Sequence, residues 1–141
     1  MRKIVFPTDF SANAFNALNY MVELFKYEKC EIFLLHAYAA EVYTDENPED
    51  ENAIADLKAK VKEQTETGLQ EVFNKIREIS PNPKHQYRKA AVFSELTDAV
   101  NDLVNAENAD ICIMGTRGKT NNKNLSFGSN TLMVLKYVQC P

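Results

Sequence analysis

Apolar and polar positions change period several times along the 141-residue chain, and each change marks an element. Residues 3–9, KIVFPTD, form a short apolar run closing in turn chemistry, which predicts a strand starting almost at the N-terminus. Ser11 follows as an N-cap, and Ala14, Leu18, Met21, Val22 and Phe25 then recur at helical spacing. Residues 30–38, CEIFLLHAY, have too few polar breaks for a half-exposed strand and suit a parallel strand buried on both faces. The stretch 39–52 carries six Asp/Glu residues and Pro48 and reads as a solvated, mobile loop. A longer helix is predicted next, with Ile54, Leu57, Val61, Leu69, Val72, Ile76 and Ile79 on one stripe and ended by Pro81 and Pro83. Its one weakness is Gly68, which costs about 1 kcal/mol relative to Ala. HQYRKAAV, residues 85–92, is a more polar third strand, placed nearer a sheet edge. Ser94 is read as the cap of a helix whose Leu96, Val100, Leu103 and Val104 face inward. ADICIMG, residues 109–115, is a fourth, apolar strand. A last helix is expected after Gly128-Ser129, with Leu132, Leu135 and Val138 at helical spacing.

Strands alternating with helices call for an α/β fold: a single doubly wound parallel sheet of about four strands, with helices on both faces. Neither an internal repeat nor a linker interrupts it, so residues 1–141 read as one domain. Such sheets take ligands at the carboxyl ends of their strands, where strand order reverses. Strands one and four end in the two most suggestive turns, PTDFS and MGTRG. If these strands are neighbours, the turns face each other across one crevice.

Composition narrows the class of partner. Hydrophobic residues make up 45% and charged residues 26%, which suits a folded globular chain. A net charge of −4 gives no basic footprint for nucleic acid. No apolar stretch approaches a membrane span, and the N-terminus does not resemble a signal peptide. Cys30, Cys112 and Cys140 are odd in number and contain no CxxC pair, which suits a reducing, cytoplasmic location. Cys112 is read as a buried structural thiol. His36 and His85 are isolated, without a second ligand at metal-binding spacing, and take core or surface roles.

Residues 114–131, MGTRGKTNNKNLSFGSNT, hold three of the four glycines. A P-loop would need glycine at position 113 before Gly118-Lys119-Thr120, and Ile113 stands there. Asn121-Asn122-Lys123-Asn124 is also a poor helix start, so the P-loop is rejected. A different cradle is open to the segment. Gly115 and Gly118 can expose consecutive backbone N–H groups. The N-terminus of the last helix adds unpaired donors and the positive end of its dipole, and Ser129 and Thr131 add hydroxyls. The plain alternative is that Gly115 ends a strand and Ser129 caps a helix.

KIVFPTDFS at the start, LLHAY in the second strand and G-x-x-G-x9-G-S at Gly115, Gly118, Gly128 and Ser129 together resemble the universal stress protein family over the whole sequence. YVQCP is also similar to the helix-to-strand junction near that family's C-terminus. The resemblance implies a Rossmann-like, adenine nucleotide alpha hydrolase-like fold and an ATP-type ligand, with Mg²⁺ as an accompanying ion. It places Asp9 by the adenosine end, with backbone around Pro7, Thr8 and Ala37. Met114 approaches the nucleoside, Gly115 and Gly118 line ribose and phosphate, and Gly128, Ser129, Asn130 and Thr131 cradle the phosphates. The family's usual last strand after Cys-Pro is missing, as in a shortened chain or the first half of a tandem protein. That leaves a homodimer or tandem-domain partner open, and predicts an open edge on strand four beside Val134, Val138 and Ile113.

The leading functional reading is a cytoplasmic, ATP-binding regulator of the stress response that binds rather than turns over its nucleotide, with a protein partner the sequence does not name. The alternatives are a non-nucleotide-binding interaction scaffold and a slow ATPase. Against the ATPase, no Asp or Glu lies within residues 115–131 to act as general base.

Overall fold

The structure, a computed structural model, describes residues 1–43, 51–116 and 129–141. Strand β1 (Arg2–Pro7) leads to helix α1 (Ala12–Leu24) and strand β2 (Cys30–Ala37). Helices α2 (Ala39–Val42) and α3 (Glu51–Ile79) precede strand β3 (His85–Val92), followed by helix α4 (Leu96–Glu107), strand β4 (Ile111–Cys112) and helix α5 (Ser129–Tyr137). The four strands form one parallel sheet in the order β3-β2-β1-β4.

The alternation of side chains along β1 explains why helices cover both faces. Ile4 and Phe6 point to one core with Ile32 and Leu34 of β2, where Leu18, Met21 and Val22 of α1 meet Leu69 and Ile76 of α3. Val5 and Leu35 point the other way, into a core closed by Ala99 and Val100 of α4, with Val138 beyond α5 packed against it. A third cluster joins Tyr38, Val42 and Val61, with Ile54 and Leu57 of α3 packed on it. β2 is buried along seven of its eight residues, as expected for an inner parallel strand. β3 is indeed an edge strand, and its outward Arg88 pairs with Glu31 at 2.6 Å.

Several expectations need correction. The stretch 39–52 is not all loop, because Ala39–Val42 makes a short helix and α3 begins at Glu51; residues 44–50 lie outside the described residues. Ile79 is 53% exposed, because the last turn of α3 runs past the core, while Thr65 occupies the inner stripe with Val61 and Leu69. Ser94 does not cap α4: Glu95 is the N-cap residue and makes no side-chain cap bond, and the Ser94 hydroxyl donates to the Glu95 carbonyl at 3.1 Å. Regular pairing in β4 shrinks to Ile111–Cys112, although Asp110 and Ile113 N–H groups extend the ladder to Lys3 and Val5 carbonyls. In α5, Leu135 is 68% exposed, and Thr131 and Val134 take the inner side, three residues apart. The β4 edge is not fully open either. Cys112 N–H donates to the Pro141 carbonyl at 2.7 Å, Val134 is buried, and Val138 and Ile113 pack on the cores.

Candidate functional site

β1 lies between β2 and β4, so the strand order reverses there and the turns after β1 and β4 stand side by side. Val5 pairs with Cys112, and Ile113 N–H donates to the Val5 carbonyl at 2.9 Å. Both strands leave the sheet at this carboxyl edge, β1 into Pro7–Asp9 and β4 into Met114–Gly115.

On the β1 side, Pro7 and Thr8 are buried and Asp9 is half-buried. Thr8 N–H donates to the Leu35 carbonyl at 2.9 Å, continuing the β1–β2 ladder beyond the strand. The turn is then held by its own side chains. Thr8 Oγ1 accepts the Phe10 N–H at 3.1 Å, Asp9 Oδ1 accepts the Ser11 N–H at 3.0 Å, and Ser11 Oγ accepts the Ala14 N–H at 3.1 Å. The last of these caps α1, whose N-terminus therefore opens at the carboxyl edge of the sheet. Phe10 has φ 65°, a left-handed conformation that costs a bulky residue about 1–3 kcal/mol.

β2 ends with Ala37, half-buried, two residues past the Leu35 that pairs with Pro7. His36, read from the sequence as a core or surface residue, is buried, and its support of the Thr8 turn is what sequence reasoning missed. Its Nδ1 lies 2.7 Å from the Thr8 carbonyl oxygen, which only accepts, so that nitrogen carries a hydrogen and donates it. Its Nε2 lies 2.5 Å from Glu41 Oε1 on α2. The available signal was its position: it shares the face of Ile32 and Leu34 at the strand's carboxyl end, one residue before Ala37.

On the β4 side, Met114 and Gly115 are half-buried. The Thr131 hydroxyl, expected among the phosphate donors, spends its hydrogen on the Gly115 carbonyl at 2.7 Å. That bond ties the first turn of α5 to the end of β4. Ser129 and Asn130 open α5, whereas Gly118 and Gly128 lie outside the described residues.

The thiol of Cys112 is half-buried rather than buried, and is pushed up to about 12, chiefly by desolvation and further by neighbouring Cys140. Among the described residues no group of three or more His, Cys, Asp and Glu is placed to hold a metal ion, and no helix is long and apolar enough to cross a membrane. A shallow depression of about 490 Å³ lies at the opposite, amino ends of the strands. Its Arg2 and Glu28 pair at 2.8 Å, and its Asp110 carboxylate accepts the backbone N–H of Lys3 at 2.8 Å.

A doubly wound parallel sheet with its crevice at the reversal of strand order defines a Rossmann-like α/β protein, the class that takes ligands at the carboxyl edge. The universal stress protein family model matches residues 1–141, and the chain belongs to that family. Universal stress protein MJ0577 of Methanocaldococcus jannaschii is 30% identical over 148 residues, spanning 96% of this chain and 88% of that protein. The solved structure of MJ0577 shares the fold at a TM-score of 0.81 and 27% identity, covering 99% of this chain and 92% of the other. A family protein from Arabidopsis thaliana, solved with AMP bound, has a TM-score of 0.63 at 16% identity and covers 100% of this chain and 88% of its own. A universal stress protein in complex with cAMP gives 0.64 at 15% identity, over 99% and 91%.

Proposed function

We propose that this protein binds an adenine nucleotide, with ATP the leading ligand, at the carboxyl edge between β1 and β4, and acts as a regulatory module that holds rather than turns over that nucleotide. The observation that carries the reading is the pairing of β1 with β4 at the switch point, from which the Pro7–Asp9 turn and Met114–Gly115 leave the same edge of the sheet, with Thr131 of α5 bonded to the Gly115 carbonyl. Backbone donors at that helix start and the positive end of its dipole favour phosphate. Asp9 and the backbone near Ala37 would meet the nucleoside, and Gly118, Gly128, Ser129 and Asn130 would complete the phosphate cradle. The AMP- and cAMP-bound relatives support an adenine ligand. With no protein cage among the described residues, Mg²⁺ accompanying a triphosphate would take its ligands from phosphate oxygens and water. Family membership supports a cytoplasmic role in the stress response as part of the same proposal.

The test is mass spectrometry of ligand released from the native protein, followed by calorimetry with ATP and GTP. ATP should bind more tightly than GTP, in the micromolar range or weaker (about −8 kcal/mol or less favourable). Equal or absent heats would sink the proposal.

A further inference from the structure

Phe10 follows Asp9 in the turn and sits at φ 65°, where a bulky side chain persists only if its surroundings hold it. Two of those surroundings are unusual. On one side the His36 ring lies 4.6 Å away, centroid to centroid and tilted by 45°. On the other side is Gly68, in the middle of α3. A Cβ at position 68 would come within 2.8 Å of Phe10 Cε1 and 2.9 Å of Cζ, closer than van der Waals contact allows. Gly68 is a poor residue for the interior of a long helix. Its use there is explained by the ring that lies against its bare backbone.

The ring is thus wedged between a notch in α3 and an imidazole. That imidazole is itself bonded to the Thr8 carbonyl, two residues before the ring in the same turn, and to Glu41. Notch, ring and imidazole close a loop around the Thr8–Asp9 segment. We propose that Gly68, remote in sequence from the crevice, is a positioning residue for nucleotide binding. Its missing side chain admits the Phe10 ring, the ring holds residue 10 in its left-handed conformation, and that conformation sets the path of the Thr8–Asp9 turn beside Met114 and Gly115. The inference rests on the adenine-nucleotide reading of the crevice and adds to it a determinant on α3.

Phe10 also packs on the main core, so a purely structural role has to be separated from a positioning one. The separation comes from a double-mutant cycle with ATP as the probe, read by calorimetry and thermal melting on the whole chain. Gly68→Ala should weaken ATP binding about tenfold, as expected when a supporting contact shifts a site it does not touch. Phe10→Ala should weaken it similarly. The double variant should bind no worse than Phe10→Ala alone, because with the ring gone the added methyl meets nothing. A structural role alone would move the melting temperature and leave affinity as in the wild type. The inference falls if Gly68→Ala binds ATP like the wild type, or if the two losses add. Should Gly68→Ala fail to fold, Phe10→Ala decides: wild-type affinity there overturns the inference, and weakened affinity supports it. A wild type that binds no adenine nucleotide overturns the site reading and this inference together, a result distinct from either.

Discussion

Ser11 shows how one residue turns sequence into local structure: its hydroxyl accepts the Ala14 N–H at 3.1 Å and starts α1 at the mouth of the crevice. Ser11→Ala should cost about 1 kcal/mol, read as a lower urea midpoint with unchanged slope. An unchanged midpoint would mean that water caps the helix equally well. Cys112 and Tyr87 carry a prediction about pH. Burial pushes the Cys112 thiol from its ordinary 9.0 to about 12, and the Tyr87 hydroxyl from 10.0 to about 12. Both values are raised in the folded state, so the unfolded chain releases these protons first. Their stability contribution is complete below pH 9.0 and is lost as pH rises towards about 12. Each half-buried group then costs up to about 1.4 kcal/mol per pH unit. Urea melts at about pH 8 and about pH 10.5 should show the fall, and Cys112→Ala should lessen it. Equal midpoints for the wild type at both values would refute the assignment.

At the scale of elements, α3 is the most informative. Periodicity places Leu69 and Ile79 on the same stripe, yet Leu69 is 1% exposed and Ile79 is 53% exposed. Leu69→Ala should therefore cost about 2–5 kcal/mol through lost burial and a cavity. Ile79→Ala should stay within about 0.5 kcal/mol. Comparable losses in denaturant titrations would show that the last turn of α3 is packed after all. Helix α5 gives the complementary lesson. Thr131 and Val134 face inward although Thr131 is polar, because its hydroxyl has the Gly115 carbonyl as partner. Hydropathy alone cannot anticipate a buried polar group satisfied from another element.

For the molecule as a whole, the central position of β1 matters most. It is hydrogen-bonded along both edges, with helices on both faces, whereas β4 has only two residues in regular pairing. Amides of Ile4, Phe6, Ile32 and Leu34 should exchange with solvent only on global unfolding. The Cys112 amide, bonded to the carbonyl of the exposed Pro141, should exchange earlier through local opening. Hydrogen exchange followed by NMR distinguishes the two classes. If Cys112 were as protected as Ile4, the β4 edge would be held as firmly as the centre of the sheet.

Local pattern was enough for whatever depends on local physics. Uninterrupted apolar runs announced β1 and β2, Ser11 announced its helix, and the alternation of strand and helix announced a doubly wound sheet. The glycine spacing and PTDFS marked the turns where a ligand is proposed to sit. Tertiary structure decided what depends on meeting across the chain. Only the order β3-β2-β1-β4 makes the turns after β1 and β4 neighbours, because hydrogen-bond pairing between distant strands leaves no local trace. Only packing exposes Ile79 and Leu135 and buries Thr65 and Thr131, since helical period fixes which residues share a face and not how far that face is covered. His36 reads locally as an isolated histidine, and becomes a support of the Thr8 turn only when β1, β2 and α2 come together. Gly68 reads as a weak point in a helix until the Phe10 ring, brought from the turn after β1, fills the space its side chain would need.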